Sequence, residues 1–320
     1  MYYISAASTI SHQPTFQNVG FSTHIEPLQE TSVLLTPDYK GFIDAGLLRR
    51  MSKILRMSVA CAKDCIGQAG IDQPDAIIVG TGLGCLLDTE KFLNNVLTIE
   101  GLLPPTSFIQ STHNTMAGQI SLSIGNHGYN MTHTQNSISF ENALLDAMLL
   151  LEEGERNVLI GAADEAIDFL NVISEKLHLQ LQHSLTSGAS FFILSKQKND
   201  HALACVKDTQ AIGLVNDVTG QIKDFLAGNE MKVQDLDLVL LPGTSHHSDG
   251  LPASLASLNL EENKCVDYLR FSGIYPTASA FAMHLAADKM KADKSLKNVL
   301  ICNTLIQSNL GLTLLQSVEA

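Results

Sequence analysis

The sequence predicts an α/β fold of five stacked layers, α/β/α/β/α, built from two related halves. Apolar segments of strand length alternate with helix-period segments along all 320 residues. Residues 156–161, RNVLIG, are echoed at 297–302 by KNVLIC. Residues 75–82, DAIIVGTG, are echoed at 237–244 by DLVLLPGT, in the same order along the chain. A common buried-strand composition can produce one such match, but two in the same order point to a duplicated plan. The halves are expected to span residues 1–198 and 199–320.

Residues 1–9 read as a first or edge strand, and Pro14, Pro27 and Pro37 break up residues 10–44. A helical pattern over 47–68, LLRRMSKILRMSVACAKDCIGQ, stops at Gly70. Residues 75–80 form a buried strand leading into GTGLG, followed by a helix over 86–96. Pro104 and Pro105 open a loop before a short helix at 116–124. Residues 130–134 are extended; Phe140, Ala143, Leu144, Ala147, Met148 and Leu151 then recur at helical spacing up to Gly154. Residues 157–162 form a compact apolar strand, 166–185 are helical or irregular, and 189–195 form another strand before the polar link KQKND. The second half predicts strands at 205–214, 236–241, 266–268, 298–303 and 310–316, with helices at 218–227 and 277–291.

The formal net charge is −13 and the sequence pI about 5.2. Such a balance opposes nucleic-acid phosphates and anionic membrane surfaces, so neither is expected as a partner. With 45% hydrophobic residues the chain can bury a large core. It shows no signal peptide and no apolar run of spanning length, and a cytoplasmic location is expected. Cys61, Cys65, Cys85, Cys205, Cys265 and Cys302 lie mostly in apolar stretches without a CxxC pair, the pattern of reduced buried thiols. Cys61 and Cys65, one helical turn apart, make only two ligands, so no metal is expected. GTGLG lacks the GxGxxG spacing and reads as a tight turn, and no cofactor is expected.

The densest signal is residues 129–165, YNMTHTQNSISFENALLDAMLLLEEGERNVLIGAADE, read as strand, tight turn, buried helix, strand. At Gln135, Asn136, Ser137, Ile138 and Ser139 the chain leaves a strand and enters a helix. Such a junction offers a nucleophile free backbone N–H donors and a favourable dipole. The order GTGLG, PPTSFIQSTHNTMAGQISLSIGNHGYN, TQNSISFENALLDAMLLLEEGERNVLIGAADE, SGASFFILSK, VLLPGTSHHSDG, FSGIYPTASAFAMHLAA, VLICNTLIQSNLGLTLL resembles the β-ketoacyl-ACP synthases of the thiolase superfamily over nearly the whole chain. The resemblance implies a thiolase-like fold. Active members carry a cysteine that accepts the acyl chain, two histidines that assist decarboxylation and stabilise the oxyanion, and a glycine-rich turn whose amides approach the thioester. Counting back from Ala163, Asp164 and Glu165 puts Ser137 at the cysteine position. The histidine positions fall on Pro242 and Pro276, the neighbouring lysine on Phe271, and the glycine-rich turn on residues 304–309, TLIQSN. Proline can neither donate a backbone N–H nor act as an acid or base, so no catalytic residue is expected here. The stretch between Glu165 and Ser187 is also shorter than the loops that gate the family's acyl pocket.

The resemblance then narrows to chain-length factors, silent homologues in type II polyketide, aryl-polyene and flexirubin-like systems. It implies a heterodimer with a catalytically active ketosynthase subunit, paired through the strand bearing Asn130, Thr132 and Thr134, and transient contact with an acyl carrier protein. An acyl tunnel or interface would draw on Leu86, Leu87, Phe92, Phe108, Thr112, His113 and Met116, for which ordinary core packing is the competing reading. Arg49, Lys53 and Arg56 fall at i, i+4 and i+7 with Arg50 beside them, a basic stripe for an acidic carrier protein or a solvated face. The alternative is an acyltransferase or hydrolase on the same fold using Ser137, with His133 a loosely placed base; Gln135 reaches the cysteine position only across a two-residue gap. A homodimeric acyl-chain binder is the third reading. Ser245, His246, His247 and Asp249 invite a triad or metal reading, but there is no GxSxG and adjacent loop histidines seldom address one centre.

Overall fold

The computed structural model describes residues 1–243, 258, 260–306 and 308–318. Its strands are β1 (Tyr2–Ile10), β2 (Ala76–Gly80), β3 (Tyr129–His133), β4 (Asn157–Asp164), β5 (Gly188–Ser195), β6 (Cys205–Gly213), β7 (Leu238–Leu241), β8 (Cys265–Asp267), β9 (Asn298–Asn303) and β10 (Asn309–Gln316). They lie in the order β3-β2-β4-β5-β1-β6-β10-β9-β7-β8. Each run of five repeats one pattern. β2 pairs in parallel with β3 and β4, and β7 with β8 and β9; β5 and β10 each lie antiparallel to both neighbours. Among the described residues the two runs pair where Tyr2 meets Val206 and Tyr3 meets Cys205, so β1 is an interior strand rather than an edge.

The echoed segments are β2 with β7 and β4 with β9, and the echo extends to a clasp. Asp75 Oδ2 accepts the Arg156 and Asn157 backbone N–H groups at 2.9 Å, and Asp237 Oδ2 those of Lys297 and Asn298 at 2.7 and 2.9 Å. In both halves a carboxylate just before the first parallel strand sets the start of the strand beside it.

Uninterrupted apolar strands are explained by burial on both faces. Ile78, Val158, Ile160, Leu240, Val299 and Ile301 enter a central core, while Ile77, Val79 and Leu159 enter one outer core and Val239 and Leu300 the other. Helices α1 (Ala45–Leu48), α2 (Lys53–Ala69), α3 (Leu86–Thr98), α4 (Pro105–Gln110) and α5 (Thr115–Ile124) precede β3. Of these, α2 and α5 cover the outer face of the first run. Between the runs lie α6 (Ser139–Glu153) and the alanine-rich α10 (Ser279–Ala292), which is buried nearly all round. The far face is covered by α8 (Val218–Gly228); α7 (Asp168–Lys176) and α9 (Leu269–Ser272) complete the described helices.

The helix expected over 47–68 is two helices. The Asp44 carboxylate caps α1 by accepting from Gly46 N at 2.8 Å, the chain leaves the helix at Arg49, and α2 restarts after an extended Ser52. The loop after Pro104 contains α4, whose Pro105 has a φ suited to a first helical position. The thiols of Cys61 and Cys65 donate to the Ala189 and Phe191 carbonyls, and burial pushes both up in pKa. Among the described residues, no helix is long and apolar enough to cross a membrane.

Candidate functional site

The carboxyl ends of β2, β3, β4, β7 and β9 converge, the place where open α/β sheets usually bind ligands. Ser137 sits there in a single 3₁₀ turn, Asn136–Ile138, between β3 and α6. Asn136 takes a left-handed φ of 56°, which asparagine tolerates better than most residues. Ser137 is only 1% exposed, and its Oγ accepts from Asn309 Nδ2 at 3.2 Å. Asn303 Nδ2 donates to the Ser137 carbonyl at 2.7 Å and to Glu141 Oε1 at 3.0 Å. Burial raises the Glu141 pKa against the lowering effect of Asn303. Ser137 is thus held by amides. His133 Nε2 is 2.9 Å from Asp146 Oδ2, which also accepts from the Tyr129 hydroxyl at 3.2 Å, so that imidazole is engaged away from the serine.

Beside this turn, Asp164 is wholly buried at the end of β4. Its Oδ1 accepts from Thr81 Oγ1 (2.9 Å), Gly82 N (3.0 Å) and Leu83 N (2.8 Å); its Oδ2 accepts from Thr277 Oγ1 (2.7 Å) and Thr277 N (3.1 Å). One carboxyl therefore ties the GTGLG turn to the entry of α10. Burial raises its pKa and these donors oppose that shift. Gly82 has to be glycine because a Cβ there would strike the Pro276 ring. On the other side, buried Pro242 ends β7, and Gly243 N donates to Asp267 Oδ1 at 2.7 Å. Asp267 also accepts from Leu269 N at 2.9 Å and lies 2.8 Å from His183 Nε2. Phe271 is half-buried and packs against the central core.

A cavity of about 530 Å³ opens between these strand ends, lined by Asn136, Glu165, Gly243, Pro276 and residues 304–306. The short stretch after Glu165, expected to leave the pocket ungated, supplies a wall of it through Leu170, Ile173, Leu181 and Leu185. Most of the lining is apolar. Ser137 does not reach it. Glu165 does: its side chain is fully buried, Oε1 accepts from Leu87 N at 3.3 Å, and Oε2 has no partner. Burial pushes this carboxyl up to about 7; the Leu87 bond and Lys53 oppose the shift, while Asp88 and Asp164 add to it. Reading by motif missed Glu165, although a carboxylate ending an apolar strand is the signal that marks it.

Strand β3 is the outer edge of its run, with Asn130 and Thr134 exposed and Thr132 half-buried. Within it Met131 is 41% exposed, and Leu145 and Leu149 of α6 are 39% and 55% exposed. Phe92 and Phe108 meet at a tilt of 57° with ring centroids 5.5 Å apart between α3 and α4, leaving Phe108 58% exposed. Leu86 and Thr112 are half-buried, Leu87 and His113 exposed, and Met116 lies wholly inside the outer core; none of these seven lines the cavity. The basic stripe is not one helix face. Arg49 and Arg50 precede α2, Lys53 Nζ donates to the Ala166 carbonyl at 3.2 Å, and Arg56 is half-buried. Thr244, Ser245, His246, His247, Asp249 and Gln307 lie outside the described residues.

Residues 29–220, more than half of the chain, match the family model described as beta-ketoacyl synthase, N-terminal domain. Among solved structures, the ishigamide ketosynthase/chain length factor aligns over 99% of each chain with a TM-score of 0.78 and 14% identity. AntDE:AntF, a type II PKS acyl-carrier protein in complex with its ketosynthase, likewise aligns over 99% of each chain, with a TM-score of 0.78 and 13% identity. The ketosynthase ApeO in complex with its chain length factor ApeC from Xenorhabdus doucetiae aligns over 67% of this chain and 84% of that chain, with a TM-score of 0.53 and 18% identity. At these identities the likeness is one of fold, that of the thiolase-like ketosynthases. A search of curated proteins found no match.

Proposed function

Since this chain belongs to the β-ketoacyl synthase family, we propose that it is a non-catalytic ketosynthase-like subunit, a chain-length factor. It pairs with an active β-ketoacyl-ACP synthase in a type II polyketide, aryl-polyene or flexirubin-like system and shapes the tunnel that receives the growing chain. The observation that carries this reading is how the reactive positions are filled. Ser137 is buried beneath the Asn309 amide, the resemblance assigns the two imidazole positions to Pro242 and Pro276, and among the described residues no imidazole or carboxylate is bonded to the Ser137 hydroxyl to activate it. The ketosynthase/chain length factor structures and the carrier-protein complex among the structural neighbours support the choice of partners. The long unpaired edge of β3, flanked by exposed apolar side chains, suits strand-to-strand pairing with a homologous subunit.

The test is to incubate the purified chain with malonyl- and acyl-carrier proteins and follow the mass of both proteins. No transfer to Ser137 is expected, whereas co-expression with a catalytically active ketosynthase subunit of the same system should yield a stable heterodimer that condenses. Acylation of Ser137 or turnover by the chain alone would replace this reading with the acyltransferase or hydrolase one.

A further inference from the structure

We propose that the chain carries an anion site at the end of the sheet opposite the cavity described above, suited to a diphosphate group, either free or as part of a nucleotide. A cavity of about 330 Å³ lies there, between the chain leaving β5 and the chain entering β9. Because β5 runs antiparallel to β4, and β10 to β9, this is the far end from the converging carboxyl ends. The silent-subunit reading gives it no role, so the inference goes beyond that reading.

Positive charge gathers here against the trend of the chain. Lys198, Lys291, Lys294 and Lys297, four of the 20 lysines and arginines in a protein of formal charge −13, line one cavity with a single carboxylate, Asp200. They arrive from separate segments: Lys198 from the link after β5, Lys291 from the last turn of α10, and Lys294 and Lys297 from the approach to β9. The α10 dipole accounts for a cation at Lys291 but not for one drawn in at Lys198. These charges also go unanswered. Among the described residues none of Lys198, Lys291 and Lys297 forms an ion pair, although the chain has 33 aspartates and glutamates. Arg156, the counterpart of Lys297 in the first half, lies 3.8 Å from the Asp75 carboxylate, whereas Lys297 lines the cavity instead. Like charges collected in this way repel, and a polyanion between them offsets that cost. The frame is fixed by the backbone: Lys198 Nζ donates to the Val318 carbonyl at 2.9 Å, and Lys297 is held by Asp237 at its N–H (2.7 Å) and by Ser317 N at its carbonyl (2.9 Å). Lysine ammonium groups are compact charges with three donors each, and several around one small cavity suit linked phosphoryl groups better than a lone one. An adjoining cavity of about 360 Å³ shares His201, Leu203 and Lys291, which leaves room for an organic group beside the phosphates.

Calorimetric titration of the full-length chain at neutral pH with inorganic pyrophosphate, inorganic phosphate and ADP tests this. Saturable 1:1 binding of pyrophosphate is expected, at least about tenfold tighter than phosphate and weakened several-fold between about 50 and 200 mM salt. ADP binding more tightly than pyrophosphate supports a nucleotide with its organic part in the adjoining cavity; the reverse order supports a free diphosphate. Lys198→Gln and Lys297→Gln should each weaken pyrophosphate binding about tenfold, and Lys291→Gln combined with Lys297→Gln should abolish it. Lys223→Gln, on exposed α8 and outside both cavities, removes the same charge and should change nothing beyond twofold. Thermal unfolding of each variant shows that it is folded. The inference is overturned if pyrophosphate does not saturate, if phosphate binds as tightly, if the folded double variant binds undiminished, or if Lys223→Gln weakens binding as much as the cavity variants. It is also overturned if the double variant loses only an acidic carrier protein and pyrophosphate never binds, which would assign the lysines to a protein surface. Acyl transfer and heterodimer formation are read without these anions, so a negative titration leaves the silent-subunit reading standing.

Discussion

The two edges of the strand array differ although the runs that end in them share one topology. β3 is five residues long, largely exposed, and pinned from behind by Tyr129 and His133 to Asp146. Its counterpart β8 has three half-buried residues, and its Asp267 is turned inward to Gly243, Leu269 and His183. An open edge has to be blunted or used. Here the second is blunted by brevity, whereas the first stays longer, carries an exposed Met131 and is bordered by Leu145 and Leu149. Duplicating the backbone did not duplicate the surface: among the described residues, the longer exposed edge with its apolar border lies on the first run.

The largest effect is expected from charging that side. Met131→Glu combined with Leu145→Glu and Leu149→Glu should weaken ketosynthase association by at least about 1,000-fold, about 4 kcal/mol, measured by calorimetry. Thermal unfolding of the isolated variant should barely change, because the three side chains are already in contact with water. Lys264→Glu, next to β8, is the matched control and should leave association intact. Equal losses from both edges would break the comparison.

A second contrast sets the two inward-turned carboxylates against each other. Asp164→Ala strands five donor contacts in a fully buried place and should cost about 3 kcal/mol in denaturant unfolding, while Asp267→Ala, partly exposed, should cost about 1–2 kcal/mol. Glu165 then gives the first run a pH signature. Its carboxyl titrates near 7 in the folded chain against an ordinary 4.5, so the folded state holds the extra proton. Stability from this group is full below about 4.5 and falls as pH rises to about 7, by roughly 2–3 kcal/mol. His284, pushed down to about 4 by burial, acts in the opposite sense, adding stability as pH rises between about 4 and 6.5. The difference between wild type and Glu165→Gln isolates the carboxyl, and it should grow between pH 5 and 8. A flat difference would place Glu165 in a wetter setting. Smallest of all, Ser137→Ala should cost about 1 kcal/mol through loss of the Asn309 bond and leave condensation by the heterodimer within twofold.

The duplicated plan was legible because its signals are local. Val299, Leu300 and Ile301 repeat the burial alternation of Val158, Leu159 and Ile160, and strand length with apolar composition marks both segments. The break at residues 49–52 was hidden because helical periodicity runs through it, and only the Asp44 cap and the extended Ser52 interrupt the backbone. The cavity was illegible for another reason. Asn136, Glu165, Gly243, Pro276 and Leu305 lie far apart in the chain and meet only because five strands end together. Motif matching drew attention to Ser137, Pro242 and Pro276, but not to the buried Glu165 carboxyl.

The connectivity also bears on how the protein is made. All five strands of the first run lie before residue 196, and those of the second begin at Cys205, so the earlier sheet can close while the rest of the chain is still being synthesised. Its inner face and α6 are covered only once β6 to β10 exist. At about 5–20 residues per second the ribosome takes on the order of ten seconds to deliver that cover. During that interval a broad apolar surface stays uncovered, and co-expression of chaperones is expected to raise the folded yield of this chain.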